Sequence, residues 1–170
     1  MRKLFIWRCC AALAVVLAAA VGTVAGHDTD PSKSVLSDMP CLSVLVEDLY
    51  PDWAGLLTRK QLKDAAKVGL RAKMPRLSVT EDCHERLHVN LTGARVEGGS
   101  GNTLGFVFNL KVQVQRNATL DTGAFVPGAE VWHKGSLWLG PKGDAAEEVR
   151  AKLDAWITEL ASEYYDAGNP

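Results

Sequence analysis

Six apolar side chains recur at every second position between residues 104 and 114: Leu104, Phe106, Phe108, Leu110, Val112 and Val114. The positions between them are mostly polar or small (Gly105, Asn109, Lys111, Gln113 and Gln115), with Val107 as the exception. Side chains alternate faces along a strand, so the stretch reads as one long strand with an apolar face and a wet face. Such a strand needs neighbours to pair with and a layer to cover its apolar side. The rest of the chain therefore has to supply a sheet and a helical cover.

The first 26 residues read as a signal peptide rather than as part of that fold. Arg2, Lys3 and Arg8 give a basic start, Cys9 to Val21 is unbroken apolar sequence, and Val24-Ala25-Gly26 offers small residues for cleavage. The uncharged run falls short of the roughly 20 residues of a membrane-spanning helix, and no Cys follows it to carry a lipid. After signal removal no transmembrane span is expected. Residues 27–40 read as a flexible N-terminal arm and 41–170 as a single α+β domain. The remaining chain carries 16 Lys and Arg against 20 Asp and Glu. A net charge of −4 without basic clustering argues against a nucleic-acid partner. Cys41 and Cys83 are the two cysteines left in an exported chain, and they are expected to form a disulfide.

Along the domain, Leu42 to Val46 is a first strand. Thr58 and Gln61 have the spacing of a capping box, with Leu57 and Leu62 as its hydrophobic staple. Leu62, Ala65, Ala66, Gly69 and Leu70 continue at helical spacing until Pro75. This small-residued face predicts close packing on the sheet. Residues 76–80 and 87–92 alternate as short strands, Gly93 through Gly105 is Gly-rich and reads as a turn, and residues 131–139 form a fifth strand. In the last helix Asp144 and Glu147 have cap spacing, and Val149, Leu153, Trp156, Ile157, Leu160 and Tyr164 form one stripe. Gly168 is placed to end it. The expectation is a five-stranded, mainly antiparallel sheet with two helices on one face, in the order β-α-β-β-β-β-α.

In Leu57-Thr58-x-x-Gln61-Leu62, Gly69-Leu70-Arg71, Leu87-His88-Val89-Asn90-Leu91, Val112-Gln113-Val114-Gln115 and the closing amphipathic helix, the chain resembles small exported bacterial proteins of uncharacterised function. The likeness spans most of residues 42–165. It implies a periplasmic or secreted setting and transfers no catalytic residue.

His84-Glu85-Arg86-Leu87-His88 matches H-E-x-x-H, in which two histidines on one helix face bind zinc and the glutamate activates water. The motif needs a helix. Leu87, Val89 and Leu91 alternate as a strand, which sets residues four apart about 13 Å from each other. A zinc hydrolase using His84, Glu85 and His88 is the alternative reading; no metal or other cofactor is expected. The sequons at Asn90 and Asn117 are read as coincidental in a bacterial protein. Trp132 and Trp138 share one face of the fifth strand, and burial statistics favour the core for them. No nucleophile elbow, phosphate loop or C-x-x-C pair is present. The reading is a non-enzymatic binding or accessory domain for a protein or other component of the envelope or cell surface. Its candidate binding face carries Arg86, His88, Asn90, Lys111, Gln113 and Gln115.

Overall fold

A computed structural model describes residues 35–168. The expected signal peptide and the arm up to residue 34 lie outside the described residues. Five strands, β1 (Cys41–Val46), β2 (Ser78–Val79), β3 (Arg86–Glu97), β4 (Thr103–Thr119) and β5 (Phe125–Gly140), form one sheet in the order β2-β1-β3-β4-β5. The sheet is mixed. β1 runs parallel to both β2 and β3, while the longer β3–β4 and β4–β5 pairs are antiparallel. Helices α1 (Arg59–Lys73) and α2 (Ala145–Asp166) complete the α+β layout in the expected order.

β4 behaves as its alternation requires. Phe106, Phe108, Leu110, Val112 and Val114 are all buried. Register joins them into rows across the inner face, such as Val44–Leu87–Val114–Trp132 and Val46–Val89–Val112–Lys134. Leu104 departs from the pattern and is 67% exposed. It is the extra residue of a bulge, since Glu97 faces Thr103 and Val96 faces Gly105.

β3 is longer than the sequence suggests, because Gly93 is not a turn residue. A Cβ there would lie 2.6 Å from the Val107 oxygen and 2.8 Å from Phe108 Cβ. The glycine permits close strand approach where Phe108 turns inward to meet Trp53 and Trp138. Trp138 stacks on Phe108 at 5.0 Å and Trp132 is buried, so the tryptophan face of β5 looks to the core. Leu137 and Leu139 are left 73% and 70% exposed on the other face.

α1 starts as read: Thr58 Oγ1 accepts from the Gln61 N–H, and Gln61 Oε1 accepts from the Thr58 N–H. The helix packs on β1 and β2, as its small face predicts. Gly69 serves a second neighbour: a Cβ there would stand 3.2 Å from Ile157 Cδ1, so the glycine also brings α1 against α2. Lys73 and Asp154 bridge the same two helices. Asp144 does not cap α2. It sits in right-handed helical geometry with no side-chain cap bond, inside a short turn of 3-10 helix, residues Lys142–Asp144. The helix is instead held by its stripe: Val149, Leu153, Ile157, Leu160 and Tyr164 are buried.

Between Val35 and Pro40 the chain belongs to the core. Leu36 and Met39 are each 1% exposed, Arg116 Nη1 donates to the Val35 and Ser37 carbonyls, and the Tyr164 hydroxyl donates to the Met39 carbonyl. Cys41 and Cys83 are disulfide-bonded, with Cα atoms 5.9 Å apart. Among the described residues no helix is long and apolar enough to cross a membrane.

Candidate functional site

With the core on one side, register fixes the opposite side of the sheet. Its rows are Ser43–Arg86–Gln115–Glu130, Leu45–His88–Gln113–His133 and Asn90–Lys111–Gly135, followed by Thr92–Asn109–Leu137 and Ala94–Val107–Leu139. All six residues read from the sequence lie in the first three rows.

They are ordered by hydrogen bonds into two clusters. His88 Nε2 meets Glu47 Oε1 at 2.8 Å, and Asn90 Nδ2 donates to the other oxygen of the same carboxylate. The amide nitrogens of Gln113 and Gln115 stand 3.2 and 3.3 Å from His88 Nδ1. With a hydrogen on Nε2 the imidazole donates to Glu47, and the single lone pair of Nδ1 is shared between the two amides. In the second cluster Glu130 bridges Lys111 Nζ at 2.7 Å and His133 Nδ1 at 2.9 Å. Arg86 is exposed beside Gln115 in register. Its guanidinium adds charge at the end of the face nearest Glu85.

Glu47, Glu130 and His133 complete the face and were missed from the sequence. Glu47 follows Leu45 at strand spacing, so alternation extended past the apolar run would have found it. Glu130 is hidden by a bulge. Trp132 faces Val114 and Glu130 faces Gln115, leaving Val131 unpaired and the parity shifted.

At the C-terminal end of β1 this face opens into a shallow groove of about 500 Å³, lined in part by Glu47, Asp48, Tyr50, Arg59 and Asn90. Arg59 and Asp48 are paired across it at 3.0 Å. Carboxylates, amides and a guanidinium with spare hydrogen-bonding capacity suit the recognition of a polar surface.

The H-E-x-x-H segment does not form a zinc-protease site. His84 and Glu85 lie in a bend and Arg86 to His88 in β3, so no helix face brings the two histidines together. Glu85 turns toward Arg116 at 3.9 Å and toward the disulfide. Among the described residues one group of three possible metal ligands is close enough to share an ion, namely Cys41, Cys83 and Glu85. Its two sulfurs are joined to each other.

No protein family matches the chain, and no curated protein sequence does. Solved structures do. A PelC dodecamer from Paraburkholderia phytofirmans is 14% identical over 74% of this chain and 86% of that one, with a TM-score of 0.41. A minor lipoprotein from Acinetobacter baumannii is 15% identical over 74% and 90%, at 0.38. Rare lipoprotein B from Shewanella oneidensis is 12% identical over 72% and 90%, at 0.27.

Proposed function

We propose that this chain is a non-enzymatic binding or accessory domain of the bacterial envelope or cell surface, working in the periplasm or after secretion. It engages a protein or other envelope component through the outer face of its sheet. One observation carries the reading: both helical stripes are buried with the inner face in a single core, while the outer face holds pre-ordered polar clusters around Glu47 and Glu130. Side chains already fixed by their neighbours lose less freedom when a partner arrives. The Cys41–Cys83 bridge supports an oxidising compartment, where such bonds persist.

Photo-crosslinking in an exporting bacterium tests this. A crosslinker at Gln113 is expected to trap a discrete partner that one at Ala155, on the exposed side of α2, does not. Lys111→Glu is expected to abolish the adduct while lowering the melting temperature by no more than a few degrees, since an exposed ion pair contributes at most about 1 kcal/mol. The proposal fails if Gln113 gives no adduct, or if the Lys111→Glu adduct is undiminished.

A further inference from the structure

Among the described residues β5 pairs with β4 alone. Along its 16 residues, main-chain N–H and C=O groups therefore face outward from the sheet. Open edges are commonly guarded by an inward-pointing charge. β5 has one in Lys134, but its ammonium is engaged within the chain, 2.7 Å from Glu159 and 3.9 Å from Glu163 of α2. The guard is neutralised by the chain's own helix.

On the outer side, Leu137 and Leu139 stand exposed beside the same edge.

We infer that β5 is completed by β5 of a second copy of this chain, running antiparallel about a two-fold axis at Ser136. Another extended chain supplies donors and acceptors at strand spacing. Every copy carries the same edge, as an isologous dimer requires. The axis position follows from the side chains. The stretch free of bulges runs from Trp132 to Gly140, and Ser136 is its midpoint. There two small Ser136 side chains lie opposite each other, which lets the two edges approach closely. Lys134 then faces Trp138 of the second copy, Leu137 faces Gly135, and Leu139 faces His133. No like charges meet. The outer faces of the two sheets become one continuous surface.

Sedimentation equilibrium of the purified chain, with hydrogen exchange on β5, tests the dimer and its register. A two-chain mass and slowed exchange between residues 132 and 140 are expected. The register sets residue 139 opposite residue 133, so the double variant His133→Lys/Leu139→Lys should dissociate at least tenfold more readily. His133→Glu/Leu139→Lys should restore dimerisation. Both positions are exposed, so folding is not at stake. A one-chain mass up to about 0.1 mM, the range of weak association, overturns the inference. So does a dimer that the paired lysines leave intact.

Discussion

Reducing the Cys41–Cys83 bridge should lower stability by about 4 kcal/mol without unfolding the protein. The two cysteines are 42 positions apart. Cross-linking a loop of that length removes about 13 cal/mol/K from the unfolded chain in the loop-entropy treatment, or about 4 kcal/mol at 25 °C. Unfolding entropy near the melting point is about 2.1 cal/mol/K per residue. Over residues 35–168 that is about 0.28 kcal/mol/K, so the loss corresponds to about 14 °C. The fold should survive because β1 remains held between β2 and β3, with Leu42, Val44 and Val46 buried. Thermal unfolding with and without a thiol reductant, followed by circular dichroism, measures the shift without a mutation. Cys41→Ala/Cys83→Ala should match it, with a small extra loss because Cys83 is only 7% exposed. A shift below about 4 °C, equivalent to roughly 1 kcal/mol, would refute the entropic argument. Two reactive thiols in the denatured, unreduced protein would refute the bridge itself.

Two other outcomes follow from local geometry. Gly93→Ala forces a Cβ to within 2.6 Å of the Val107 oxygen and should destabilise by about 1–3 kcal/mol, as overpacking does; urea denaturation showing no change would mean the strands separate freely there. The Glu81 carboxyl is held at about 2, against an ordinary 4.5, by hydrogen bonds from Lys67 and then Lys63. A carboxyl lowered in the folded state contributes stability that is complete above its unfolded value and lost as pH falls toward about 2. Carboxyl-carbon NMR should therefore give a midpoint near 2, returning to the ordinary range in Lys63→Ala/Lys67→Ala; an ordinary midpoint in the parent protein contradicts the pairing.

Periodicity made most of this fold readable. Phe106 to Val114 and Val149 to Tyr164 each carry enough repeats for tertiary structure to leave the pattern intact, and the Thr58–Gln61 box is a local interaction that needs no distant partner. What escaped depended on residues far apart in sequence. Gly93 looks like turn chemistry until Phe108 is placed opposite it. Leu104 and Val131 look regular until register shows each to be the extra residue of a bulge. Asp144 and Glu147 have the right spacing for a cap, but the preceding turn puts Asp144 in helical geometry, where its side chain makes no cap bond. The parallel pairing of β1 with β3 leaves no local signal, because α1 and β2 separate the two strands in sequence.

The same division explains the candidate site. Alternation alone put His88, Asn90, Lys111, Gln113 and Gln115 on one face, since each sits within a run whose apolar parity is unambiguous. It could not show that these residues divide between two carboxylates. Glu47 lies just past the end of β1, and Glu130 lies behind the bulge at Val131. The two glutamates are what turn a polar face into an ordered one. Each uses one oxygen for a histidine and the other for a nitrogen donor on the adjoining strand, Asn90 for Glu47 and Lys111 for Glu130. Together they tie β1 to β3 and β4 to β5 through side chains as well as through the backbone ladder. A surface built this way keeps its pattern of donors and acceptors before a partner arrives.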